Sequence, residues 1–246
     1  MDRSLYIAMS GAKQIMQSQT INSHNLANAS TTGFREDLAQ FRSMPVYGDG
    51  YPTRVYALAE QPGVNFEGGA VQSTGRELDV AVNGKGWIAV QAPDGREAYT
   101  RAGDLRITTE GMLETGSGLP IMGGGGPIAI PPAEKLEIGT DGTISIVPLG
   151  DKASTLAVLD QIKLVNPPHD RLVKGSDGLV YLKSGGIAQE SIDVSLVTGA
   201  LESSNVSTVS AMVQMIDLAR QFEMQIKVMK SVEENEAAST KLMQMS

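Results

Sequence analysis

The chain contains no cysteine. That absence removes disulfides, thiolate catalysis and zinc–thiolate sites together. A disulfide-free chain suits the cytosol, and equally an exported protein that oxidation in transit would harm. There is no basic run either: 28 acidic residues against 20 Lys and Arg give a formal charge of −8. Nucleic-acid binding needs clustered Lys and Arg to displace counterions, and an anionic membrane surface needs a cationic face, so both are excluded. The acidic balance favours solubility and selects no partner. No apolar stretch reaches the roughly 18 residues of a spanning helix, so no direct membrane insertion is expected. The opening residues are interrupted by Ser4, Ser10, Lys13 and Gln14. They lack the continuous apolar core of a secretory signal, so any exit from the cytosol is expected to use another route.

Catalytic and cofactor signatures are missing as well. The Gly123-Gly124-Gly125-Gly126 run is followed by Pro127-Ile128-Ala129, and Asn83-Gly84-Lys85-Gly86 lacks the Ser or Thr that a phosphate loop requires. The two histidines, His24 and His169, have no acid or second histidine at i+3 or i+4, so neither begins a local metal site. Asp79, Asp94, Asp104, Asp141 and Asp177 mostly adjoin glycine, where turn formation accounts for them. No serine sits in a G-x-S-x-G elbow. No enzyme activity, cofactor or metal is expected.

The 246 residues have an ordinary globular composition, 41% hydrophobic and 20% charged, enough for one large domain or two modest ones. Residues 4 to about 28 read as a helix. Leu5, Ala8, Ala12, Ile15, Gln19, Asn22 and Leu26 recur at spacings of 3 and 4. The stretch from Asn28 to Phe34 should stop it, because Asn and Gly accept left-handed backbone and Ser and Thr compete for backbone bonds. Residues 35 to about 75 hold Pro45, Pro52 and Pro62, with Tyr47, Tyr51 and Tyr56, and show no sustained period. They are expected as an extended arm with short strands. From 76 to 190, short β-type runs alternate with turn dipeptides: Asn83-Gly84, Asp94-Gly95, Glu110-Gly111, Asp141-Gly142 and Asp177-Gly178. No helical pattern separates the runs, which favours antiparallel pairing. From about 205 the helical period returns. Met215, Phe222, Met229, Glu236 and Met243 repeat every seven residues, and Ser203 or Ser204 is placed to cap the start.

The expected fold is therefore α+β. Long N- and C-terminal helices (1–33 and 205–246) pair as a coiled-coil-like assembly domain. Residues 34–75 are an arm, 76–190 a mostly antiparallel β domain, and 191–204 a return connector. Nine of the 12 methionines lie in the terminal segments. They serve either an ordinary helical core or a surface that repacks against similar but unlike neighbours. The candidate assembly surface comprises Leu5, Ala12, Ile15 and Leu26 with Met215, Phe222, Ile226, Met229 and Met243.

Three ordered motifs spanning nearly the whole chain carry a resemblance. Asn25-Leu-Ala-Asn28-Ala-Ser-Thr-Thr-Gly33-Phe34 follows the first helix. Thr74-Gly-Arg-Glu-Leu-Asp-Val-Ala-Val82, Gly84-Lys-Gly-Trp-Ile88 and Ala98-Tyr-Thr-Arg101 lie in the β region. Leu201-Glu202-Ser-Ser-Asn205-Val206 leads into the last helix with Arg220-Gln-Phe-Glu223. Together these resemble the flagellar rod and hook axial proteins. Within that family, the opening Met1-Asp2-Arg3-Ser4, the length and Trp87-Ile88 resemble a proximal rod member. The resemblance implies an axial subunit of the basal-body rod that polymerises through its terminal helices into a torque-transmitting shaft across the periplasm. It implies as partners copies of itself, the distal rod protein above, shorter proximal rod proteins below, and the flagellar type III export apparatus. Two other readings stay open: a distal rod or hook-like subunit, and a secreted β-domain binding protein or enzyme.

Overall fold

The computed structural model describes residues 3–45, 47, 55–148 and 156–244, without the side chains of 3, 4, 41, 58–62 and 242–244. The expected Tyr51 of the arm and the Met243 side chain lie outside the described residues. Two compact units emerge. The first comprises residues 1–29, 36–65 and 206–246, and the second 30–35 and 66–205.

In the first unit, helix α1 spans Arg3–Ala27 and helix α2 spans Thr208–Gln244. The end of α1 is closed by Asn28, whose backbone N–H and Nδ2 both reach the His24 carbonyl, at 3.1 and 3.0 Å. Ser207, rather than Ser203 or Ser204, caps α2: its Oγ accepts the Ser210 N–H at 3.4 Å. Ser203 is used instead inside the second unit, where its hydroxyl donates to the Ala70 carbonyl. With 37 residues, α2 is about 55 Å long. Between the helices in sequence, β1 (Asp37–Pro45) and β2 (Val55–Val64) form one antiparallel ribbon that packs on α1. Part of the expected arm is thus a hairpin belonging to the helical unit. A register shift between Leu38 and Gln40 breaks the alternation that would have announced it.

The second unit holds fourteen short strands among the described residues. They are β3 (Val71–Ser73), β4 (Val80–Asn83), β5 (Trp87–Gln91), β6 (Glu97–Thr100), β7 (Leu105–Ile107), β8 (Leu113–Thr115) and β9 (Ala133–Ile138). The series continues with β10 (Thr143–Pro148), β11 (Ala157–Gln161), β12 (Leu164–Val165), β13 (Leu172–Lys174), β14 (Val180–Leu182), β15 (Ser195–Thr198) and β16 (Ala200–Glu202). Every strand pair is antiparallel. The largest sheet has the order β12-β5-β6-β14-β13, and a second has β11-β10-β9. All five turn glycines, Gly84, Gly95, Gly111, Gly142 and Gly178, have positive φ. Four of the dipeptides join sequential hairpins. The turn at Gly84 does not, because β4 pairs with β15 from the far end of the unit. Residues 191–204, expected as a connector, contribute β15 and β16 to this pairing.

Strand β5 is buried on both faces, which is why Trp87-Ile88-Ala89-Val90 reads as a continuous apolar run. Ile88 and Val90 enter the main core with Val80, Leu105, Leu113 and Ile121. Trp87 and Ala89 enter a smaller cluster with Tyr99, Val165 and Val180.

Candidate functional site

The two helices run antiparallel. Asn22 Nδ2 donates to the Ala211 carbonyl at 2.7 Å, and Gly11 lies against the Gln225 side chain, so numbering falls along one helix as it rises along the other. A Cβ on Gly11 would stand 3.3 Å from Gln225 Cδ. The most buried positions of α1 are small or polar: Ala8, Ala12, Ser18, Asn22 and Asn25. Ala211 and Leu218 are buried on α2, and Met215, Phe222 and Met229 are half-buried on the same stripe. Leu5, Ile15 and Leu26 are half-buried on α1. Ile226 faces outward, 44% exposed.

Other large apolar side chains stay in solvent. Val209, Met212, Val213 and Ile216 are each more than half exposed. At about 100° per residue, Val209, Val213 and Ile216 occupy the face of α2 opposite Ala211 and Leu218. On α1, Tyr6, Met9 and Met16 are similarly open. The expected stripe of Met215, Phe222 and Met229 therefore lines the seam within the subunit, and the outer apolar face includes Val209, Val213 and Ile216, which sequence periodicity did not single out, beside the terminal methionines Met9, Met16 and Met212. The signal was available, because Val209, Met212, Val213 and Ile216 repeat at 3 and 4.

The signature residues divide between the units. In the first, Asn25 grips Asp37 in both directions: its Nδ2 donates to the Asp37 carbonyl at 2.8 Å and its Oδ1 accepts the Asp37 N–H at 2.9 Å. His24 lies 3.0 Å from the Asp37 carboxylate, thirteen residues on, so it has an acidic partner that local spacing hides. In the second unit, Gly33 has φ +68° and donates its N–H to the Glu202 carbonyl at 2.8 Å. Phe34 is buried with Lys174 Nζ 3.9 Å from its ring centre. Leu201 is half-buried in β16, and Asn205 Nδ2 donates to the Glu67 carbonyl at 3.0 Å.

Glu202 is the centre of this group. It is 1% exposed and receives Arg35 Nη2 at 2.5 Å and Arg101 Nη1 at 2.8 Å. The Gly69 N–H donates to the same carboxylate at 2.8 Å. Both guanidiniums stand near the Trp87 ring, at 5.8 Å for Arg35 and 5.4 Å for Arg101. Burial pushes the Arg101 guanidinium below its ordinary pKa, and the Glu202 charge opposes that shift. Sequence reading placed Glu202 in a motif without a role and did not single out Arg35. The available clue was partial: Glu202 is a lone charge in an otherwise uncharged stretch, whereas Arg35 is followed by two acids that disguise it. No group of three or more His, Cys, Asp or Glu that could hold a metal occurs among the described residues.

Paired terminal helices with apolar residues on their outer faces, and a β unit with a filled core, are the build of a structural subunit. The comparisons agree along the whole chain. Residues 5–35 match the family described as flagella basal body rod protein, 81–146 the flagellar hook protein FlgE/F/G D1 domain, and 197–242 the flagellar basal body rod FlgEFG protein C-terminal. The flagellar basal-body rod protein FlgF of Escherichia coli (strain K12) is 41% identical over the full length of both chains, as is its Salmonella typhimurium counterpart. The rod protein FlgG of Bacillus subtilis (strain 168) is 30% identical over 94% of this chain and 96% of its own. The chain belongs to the flagellar basal-body rod proteins, and within them it is most like FlgF. It is a structural component of the rod and not an enzyme, as the motifs implied.

Proposed function

We propose that the subunit polymerises through its terminal helices into part of the torque-transmitting shaft. The observation that carries this reading is the outward apolar face of α2 at Val209, Met212, Val213 and Ile216, with Tyr6, Met9 and Met16 on α1. The α2 residues form one contiguous exposed apolar patch, and Tyr6, Met9 and Met16 form a second one further along the antiparallel pair; such patches mark sites of protein contact. Leu5, Ala12, Ile15, Leu26, Met215, Phe222 and Met229 hold the two helices together so that this face is presented, and Ile226 extends the contact along α2. The neighbours are copies of this chain, a distal rod protein above and shorter rod proteins below. The chain reaches them through the flagellar type III export apparatus, and the rod it joins spans the periplasm.

The test is Ile216→Asp in a strain whose own copy is deleted. Ile216 contributes nothing to the helix seam, so the purified variant should keep its helical content and melting temperature. Motility should be lost, because a carboxylate buried in an interface without a partner is strongly unfavourable. Normal swimming with Ile216→Asp would remove this face from the assembly.

A further inference from the structure

Two signature stretches, 30–35 and 201–205, take no part in the proposed assembly face, yet the second unit brings them side by side. The Gly33 N–H donates to the Glu202 carbonyl at 2.8 Å, and the Asn205 N–H donates to the Phe34 carbonyl at 3.3 Å. Strand β16 pairs with β3, and the Ser203 N–H donates to the Ala70 carbonyl at 2.9 Å. The first and last segments of the unit therefore close on each other, with Arg35, Glu202 and Arg101 at the junction.

The charges there do not balance without Glu202. Arg35 is 2% exposed and Arg101 5% exposed, and Arg35 Nε and Nη1 and Arg101 Nε already lack hydrogen-bond partners among the described residues. Before residue 202 is in place, two guanidiniums beside Trp87 share one site with no anion between them. Desolvating both would be opposed by lost hydration and by their mutual repulsion. The socket would stay open to water, and the stretch 30–35 would have no partner for Gly33. Other strands do not share this constraint, because β5, β6 and β14 pair among themselves.

We propose that Glu202 is a latch. The β unit of a chain that appears N-terminus first forms its central sheet early and stays open at this seam. It closes only when residue 202 inserts its carboxylate between Arg35 and Arg101, and that single step fixes both ends of the unit. Completion of the domain is thereby tied to arrival of nearly the whole chain. This does not depend on the assembly face proposed above, and its test uses the free subunit.

The experiment is amide hydrogen exchange on the full-length chain, wild type and Glu202→Gln, with Trp87 emission recorded in parallel. In the wild type, the amides of Gly33, Gly69 and Ser203 should be protected, as those of Ala89 and Gln91 in the central sheet are. In Glu202→Gln the first group should exchange at least about tenfold faster, the change expected when a charge-assisted buried bond is lost. Ala89 and Gln91 should keep their rates, and Trp87 emission should move to the red as water enters. Adding Arg35→Met and Arg101→Met to Glu202→Gln should restore slow exchange at Gly69 and Ser203, since an uncharged trio removes the two uncompensated guanidiniums and the amide oxygen introduced at position 202 can still accept the Gly69 N–H. Unprotected Gly33 and Gly69 in the wild type, or unchanged rates in Glu202→Gln, would overturn the latch. So would an equal loss at Ala89 and Gln91, which would make Glu202 a general support of the core.

Discussion

Replacing Gly33 by alanine measures what the close approach at this residue contributes. Gly33 has φ +68°, and a Cβ there would fall on the backbone of Arg101 and Ala102, 2.5 Å from the Ala102 nitrogen. Gly95 has φ +83° but nothing within 4 Å of the same added atom. The left-handed backbone costs an alanine about 1–2 kcal/mol at either site. At Gly95 that is the whole effect. At Gly33 the overlap is with main chain, so the 30–35 segment must move away. Moving it loses the Gly33–Glu202 bond, about 1 kcal/mol, and weakens the charged Arg35–Glu202 contact, about 1.5–3 kcal/mol. The expected cost of Gly33→Ala is therefore about 3.5–6 kcal/mol, against about 1–2 for Gly95→Ala. At about 2–4 °C per kcal/mol for a chain of this size, the melting points should fall by roughly 7–24 °C and by roughly 2–8 °C. Trp87 is the only tryptophan and touches the same cluster, so its emission follows the transition directly. Equal melting points for the two variants would show that backbone angle alone matters at Gly33 and that its proximity to Arg101 has no energetic weight.

Two further perturbations follow from groups whose environments are unusual. Burial first, and the neighbouring Asp79 charge in addition, raise the Asp104 carboxyl above its ordinary 3.8. A carboxyl with a raised folded pKa stabilises the fold fully only below 3.8 and loses that contribution as pH rises through the folded value. Asp104→Asn should therefore raise the melting temperature at neutral pH, and the gain should vanish below 3.8; a gain that persists in acid would refute the assignment. Asn22→Ala removes the buried bond to the Ala211 carbonyl and should weaken the helix pair by about 1–3 kcal/mol. Faster amide exchange along α1 and the first turns of α2 would register it, and unchanged exchange there would mean that the bond adds nothing.

What could be read from the sequence, and what could not, divides by the distance over which each cause acts. The limits of α1, the five turn glycines and the doubly buried run of β5 rest on neighbours within a few residues, and all were legible. The cap of α2 was misplaced because Ser203, Ser204 and Ser207 are alike as local acceptors, and only tertiary packing, such as that of Ser203 on Ala70, decides among them. The ribbon of β1 and β2 was hidden by its irregular register and by prolines that break alternation. The Arg35–Glu202 contact spans 167 positions, and no periodicity encodes a pairing across that separation. The helical stripe was found but its facing was not. A heptad of Met215, Phe222 and Met229 states that one face is apolar, and cannot state whether the partner is α1 or another chain.

That ambiguity has a physical origin in the composition of α1. Its most buried positions are Ala8, Ala12, Ser18, Asn22 and Asn25, which offer little apolar area, and Ser18 Oγ and Gln14 Oε1 are buried without partners among the described residues. A helix pair gains most of its stability from the apolar face it buries. Fully burying one side chain of the Val or Ile class is worth about 1.5–3 kcal/mol. Most of the seam's large side chains, Leu5, Ile15, Leu26, Met215, Phe222 and Met229, are only half-buried, while Val209, Met212, Val213, Ile216, Met9 and Met16 leave a comparable store uncommitted on the outside. A leucine-rich α1 would have made the pair self-sufficient. The small and polar seam instead lets the helices approach closely at Gly11 and fixes their register through Asn22, at the expense of intrinsic stability. In the proposed assembly, a comparable part of the helices' stabilisation then comes from neighbouring subunits. Such a division keeps a free subunit from locking its helices prematurely and makes their final order a consequence of joining the rod.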